Sequence, residues 1–181
     1  PGASSCAVSA ESPGTSIGSA DAGPPAVHVG RSRQTGHMTD VRPGYTLVDS
    51  PPSVADYLAL RRDSGMHPKT EEQAEAGIHG AWAAVHVRHE ETGATVGMGR
   101  VIGDGGWYFH VIDMAVLPEH QGQGLGSAVL QRLLDTIRAD APPGAYVSLM
   151  ADGPGQALYA RHGFQDRAPH TIGMSLRLEG P

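Results

Sequence analysis

Cysteine is almost absent from this 181-residue chain. Only Cys6 is present, so no disulfide can form within one copy and a cytosolic, reducing setting is expected. Long apolar runs are missing as well. None approaches the ~20 residues needed to cross a bilayer, so no membrane partner is expected. The formal net charge is −6, and no basic cluster with interleaved aromatics occurs, which argues against a nucleic-acid partner. That charge is mildly congenial to a cationic amine. Internal repeats are lacking too.

Glycine and proline, at 25 and 14 residues, are plentiful but unevenly placed. Residues 1–37 consist mainly of Ser, Gly, Ala and Pro, with few large apolar side chains and no amphipathic period. Such a stretch cannot offset its ordering entropy by burial, so a low-complexity, disordered N-terminal extension is expected over 1–37. It lacks the continuous apolar core of a signal peptide. Met38-Thr39-Asp40 reads like a start, which would make the preceding residues an extension. The ordered unit is expected to be a single domain over 44–178, long enough to bury a proper core.

Along that domain, Tyr45-Thr46-Leu47-Val48 reads as a first strand ended by Pro51-Pro52. Ser53 suits the N-cap of a helix through Val54, Tyr57, Leu58 and Leu60. A second helix is expected after Thr70, with Glu71 and Glu72 in its first turn. Residues 81–89 and 94–102 read as a hairpin around Glu90-Glu91-Thr92-Gly93, and 107–117 as a further strand. From Leu125 the apolar residues Leu125, Val129, Leu130, Leu133, Leu134 and Ile137 make a one-sided stripe suited to packing on a sheet. Ala141-Pro142-Pro143-Gly144 stops it. A buried strand over 146–150, a short helix over 156–162 and a last strand over 172–178 complete an α/β domain with a mixed, largely antiparallel sheet.

The most informative stretch is Val116-Leu117-Pro118-Glu119-His120-Gln121-Gly122-Gln123-Gly124-Leu125-Gly126-Ser127. Its order is strand, glycine-rich turn, helix. A helix start offers unpaired N–H groups and the positive end of the macrodipole, and glycines let the backbone approach a pyrophosphate. A P-loop would need Lys followed by Ser or Thr, and this segment has no Lys. A dinucleotide fingerprint from Gly122 or Gly124 would need Gly where Ser127 or Val129 stands. What fits is Q-x-x-G-x-G, from Gln121 to Gly126.

Here the chain resembles the GNAT superfamily of acetyl-CoA-dependent N-acetyltransferases. The likeness continues in Leu158-Tyr159-Ala160-Arg161-His162-Gly163-Phe164, which matches the family's L-Y-x-x-x-G-F ending. It is strong over roughly 94–164, and over 45–93 it rests on element order alone. The layout is most similar to small bacterial amine acetyltransferases and their plant aromatic-amine relatives. The resemblance implies a GNAT-like fold, acetyl-CoA as co-substrate, and direct attack by a primary amine, with a small molecule favoured as acceptor. A protein or peptide amine, or a non-catalytic acyl-CoA-binding module, stands as the alternative, and a homodimer is left open.

The resemblance also implies roles. The main chain of Met114, Ala115 and Val116 would pair with the pantetheine arm like an added strand. Gln121, Gly122, Gln123, Gly124, Leu125, Gly126 and Ser127 would wrap the pyrophosphate. Tyr159 would protonate the departing thiolate, as a phenol of pKa ~10 can. Where the family commonly has Asn, seven residues before this Tyr, Asp152 stands here and can accept but not donate when ionised.

The base is open between His110 and Asp113, both upstream of or within the strand end, and a water chain could replace both. On a regular strand these two face opposite sides unless a bulge intervenes. Trp82, Trp107, Tyr108 and Phe109 read either as core or as an aromatic-accepting pocket. His86 and His89 have odd spacing for a strand site, and His67 precedes Pro68 in a loop, so no metal is expected.

Overall fold

The computed structural model describes residues 41–178, and the expected extension over 1–37 lies outside them. Five strands form one sheet in the order β1 (Tyr45–Val48), β2 (Ala83–His89), β3 (Thr95–Gly103), β4 (Tyr108–Val116), β5 (Tyr146–Leu149). The first three pairings are antiparallel and β4–β5 is parallel.

Helices α1 (Val54–Asp63) and α2 (Glu71–His79) start where their caps predict. Ser53 Oγ accepts from the Asp56 amide, and Thr70 and Gln73 form a reciprocal capping box. On the other face of the sheet lies α3 (Leu125–Asp140). All six residues of its apolar stripe are buried, against Val85, Val87, Val96, Val101, Phe109 and Val111. The opposite cluster joins Tyr57, Leu60, Ala74 and Ile78 to Met98 and Ala115. Helix α4 (Gln156–Arg161) follows β5.

Two features of β4 and β5 position the site. Strand β5 pairs with β4 only along Tyr108–Val111, so among the described residues the edge of Ile112–Val116 facing away from β3 has no strand beside it. In addition, Met98 faces Ala115 while Arg100 faces Ile112. Two steps on β3 therefore match three on β4, which carries a bulge at Asp113–Met114.

Two expectations are corrected. Residues 172–178 form no strand: they carry no regular secondary structure and no sheet pairing among the described residues, with Met174, Leu176 and Leu178 exposed. Their alternating apolar pattern suits a half-buried strand, but a strand exists only where a neighbour completes its ladder. Nor is the 146–150 segment a buried strand. It is an edge strand with Tyr146 and Met150 largely exposed.

Candidate active site

Strand β4 is followed by Leu117, a 3₁₀ turn over Pro118–His120, and then the glycine turn into α3. The Leu117 amide donates to Val96 O on β3 at 2.9 Å. Strand alternation therefore turns the groups of Val116 to the open edge, where Gln121 Nε2 donates to Val116 O at 2.9 Å. Gly122 and Gly124 take φ of +71° and +82°, a region that favours glycine, and nothing lies within 4 Å of where a Cβ would stand. Gly124 caps α3 with no side-chain partner for the helix amides. Among the described residues, the amides of Gly122 to Ser127 donate to no other group. Open space beside left-handed glycines and a fan of unclaimed donors suit a pyrophosphate.

The turn is braced from outside. Tyr45 Oη bonds His120 Nδ1 at 2.9 Å and donates to Gln123 Oε1 at 3.1 Å. Ser127 Oγ bonds His162 Nε2 at 2.7 Å, tying the start of α3 to the end of α4. The Gln123 and Ser127 side chains are thus engaged within the protein, leaving their main chains to face a ligand.

A cleft of about 1080 Å³ opens between β5, α4 and the following chain. Tyr108, His110, Asp152 and Tyr159 all line it, together with Ser148. His110 is half-buried, and burial pushes its imidazole below the ordinary histidine value. Its Nδ1 lies 2.7 Å from Ser148 Oγ, which donates in turn to Tyr108 Oη at 3.0 Å. Tyr159 packs edge-to-face on Phe164 at 6.1 Å between centroids. Burial, and then the negative charge of Asp152, push its phenol above the usual tyrosine value, so it is protonated at neutral pH.

Asp113 lies apart from that cleft. It points toward α1, where Tyr57 Oη donates to Oδ2 at 2.7 Å and Arg61 and Arg100 each make an ion pair with it. Burial alone would raise its carboxyl, but the hydrogen bonds and charges of Arg100, Tyr57 and Arg61 outweigh that and hold it below the usual carboxylate range. Of the two residues read as possible bases, His110 alone shares the cleft with Tyr159.

The aromatic residues divide between the two readings. Phe109 is fully buried with Trp82 against it at 4.7 Å, whereas Tyr108 lines the cleft and Trp107 is exposed beside it. His86 Nδ1 bonds Ser50 O, and His89 Nδ1 bonds Thr92 Oγ1. No helix among the described residues is long and apolar enough to cross a membrane.

Sequence reading missed Ser148 and the Arg61–Arg100 pair. A serine in the middle of an apolar strand, and an arginine one turn after Tyr57 on the buried stripe of α1, were the available signals.

Strand β4 thus runs on past the end of its parallel partner, and a glycine turn feeds a helix beside that open edge. Residues 81–166 match the family described as Acetyltransferase (GNAT) domain. A crystal structure from meticillin-resistant Staphylococcus aureus, a protein of unknown function described as a probable acetyltransferase, is 39% identical. The match covers 74% of this chain and 99% of that one, with a TM-score of 0.70. A GNAT family acetyltransferase from Streptococcus pneumoniae is 22% identical over 75% of this chain and 98% of that one, with a TM-score of 0.62. Glucosamine-6-phosphate N-acetyltransferase from Arabidopsis thaliana is 17% identical over 75% and 99%, with a TM-score of 0.56. These last two speak to the fold alone. No curated protein sequence matches. The chain belongs to the GNAT family and is an acetyl-CoA-dependent N-acetyltransferase.

Proposed function

We propose that the protein moves the acetyl group of acetyl-CoA to the primary amine of a small molecule by direct attack. The observation that carries this reading is the shared cleft of His110 and Tyr159, one group suited to take a proton and one to give it. The main chain of Met114, Ala115 and Val116 holds the pantetheine arm along the open edge of β4. The amides from Gly122 to Ser127 hold the pyrophosphate, Gln121 braces the turn through its bonds to Pro118 O and Val116 O, and Asp152 borders the arm near the thioester.

In the reaction, His110 Nε2 takes a proton from the ammonium form of the acceptor. The neutral nitrogen then attacks the acetyl carbonyl, an amide C–N bond forms as the C–S bond breaks, and the second proton that the nitrogen sheds on becoming an amide passes through solvent to the Tyr159 phenolate left by the next step. Tyr159 gives its proton to the departing thiolate. Positioning by the strand edge is the largest contribution expected of the protein.

Thiol release from acetyl-CoA with a panel of small amines and amine-terminated peptides tests this reading. Turnover with small amines exceeding that with peptides supports it. Turnover with peptides alone makes the acceptor a polypeptide, and tight CoA binding without any thiol release makes the protein a binding module.

A further inference from the structure

Among the described residues, Asp113 is the one non-glycine residue with positive φ, at +54°. It stands at the bulge of β4, immediately before Met114–Val116. Aspartate tolerates this region better than most residues, yet such a conformation persists only where its surroundings hold it.

The holding groups are two guanidinium groups and a phenol. Arg61 Nη1 donates to Oδ1 at 2.5 Å and Arg100 Nε to Oδ2 at 2.5 Å, with Tyr57 Oη also on Oδ2. The Arg61 and Asp113 side chains are only 6% and 10% exposed. Arg61 also donates through Nε and Nη2 to His67 O, in the loop joining α1 to α2, and Arg100 through Nη1 to Gly77 O on α2. One carboxylate therefore gathers α1, the loop after it, α2, β3 and β4. Both its oxygens are committed to these partners, a poor state for a proton acceptor and a good one for a brace.

We propose that Asp113 is a positioning residue, whose carboxylate, clamped between Arg61 and Arg100, holds the left-handed bulge that presents the main chain of Met114–Val116 to the coenzyme. It rests on the reading that this strand edge seats the pantetheine arm. Where β5 leaves β4 after Val111, the direction of the next residues is set by the bulge, and the clamp sets the bulge. Removing the carboxylate would leave two buried guanidinium groups facing each other, so the backbone would relax away from the partner it lost.

Calorimetric titration of the full chain with CoA tests this, with Gly124→Asp as a control on the coenzyme seat. Asp113→Gly keeps a backbone free to take positive φ but loses the carboxylate, whereas Asp113→Ala loses both. Asp113→Ala is expected to weaken CoA binding roughly tenfold, with Asp113→Gly recovering a clear part of that loss. A residue that only stabilises the fold would lower the melting temperature in both variants and leave the Kd of the folded protein unchanged, which would overturn the proposal. Equal weakening in Gly and Ala would still support it, since the carboxylate lost from both variants is then what holds the bulge. Should both Asp113 variants be insoluble, Arg61→Lys decides. Lysine keeps the charge but cannot reach Asp113 and His67 O together, so CoA binding should weaken roughly threefold, and an unchanged Kd sinks the idea. If Gly124→Asp binds CoA like the parent protein, the seat itself is misassigned. If Gly124→Asp abolishes binding while Asp113→Ala does not affect it, the clamp alone fails.

Discussion

His110 and Ser148 are register partners across the parallel pair of β4 and β5, and their side chains meet at 2.7 Å. Ser148 Oγ also lies 3.0 Å from Tyr108 Oη and 3.4 Å from Phe109 O, so the imidazole is tied through Nδ1 to a small polar network on the neighbouring strand. The neighbouring strand thus fixes the orientation of the ring.

His110→Ala should remove the acidic limb of the pH–rate profile, and Asp113→Asn should leave that limb in place. Burial lowers the His110 value, so the limb is expected below the ordinary histidine value of about 6.5. Ser148→Ala should cost roughly tenfold in kcat, because the ring loses the hydrogen-bond partner that orients it. Profiles with two amines of different basicity provide the check. A limb that moves with the substrate belongs to the substrate, and loss of the limb in Asp113→Asn alone would reverse the assignment.

Tyr159→Phe should lower kcat by ~10²–10⁴ while CoA affinity holds, since only the transition state loses the interaction. A loss below tenfold counts against the acid role. The charge of Asp152 helps keep the phenol protonated, so Asp152→Asn should move the basic limb of kcat to lower pH. An unmoved basic limb would show that the limb reports another group.

CoA should raise the melting temperature of the parent protein by mass action. Gly124→Asp should abolish the rise, because it puts a side chain at φ +82° and a negative charge beside the phosphates. Thermal unfolding with and without millimolar CoA measures both. No rise in well-folded parent protein would remove the coenzyme seat from this turn.

Deletion of the residues before Met38 should leave stability and turnover nearly unchanged, because their composition offers little apolar surface to bury. Unfolding curves and thiol release on the truncated chain check this. Insoluble truncated protein would mean that the segment packs on the domain or mediates assembly.

Acid should destabilise the fold partly through two histidines. Burial lowers the His110 value, and burial followed by the charges of Arg161 and Arg138 lowers that of His162. The unfolded chain then binds protons more readily. Stability is full above the unfolded value of about 6.5 and is lost as pH falls through it toward the lower folded values. Melting temperatures from pH 8 to pH 5 should fall less steeply in His162→Gln than in the parent protein. Parallel slopes would assign the loss to other groups.

The sequence by itself determined the elements and the glycine turn. The stripe from Leu125 to Ile137, the caps at Ser53 and Thr70, and the Q-x-x-G-x-G spacing are local patterns, each legible within a few turns of chain. Tertiary structure decided what joins distant residues. The Arg61–Asp113 pair links positions 52 apart and the His110–Ser148 pair positions 38 apart, and neither leaves a local trace. The bulge depends on the register of β3 against β4, where one extra residue moved Asp113 toward α1, away from the cleft that holds His110. The 172–178 segment makes the same point in reverse. Its alternation was clear, but a strand needs a partner, and pairing is settled by the rest of the fold, not by the segment.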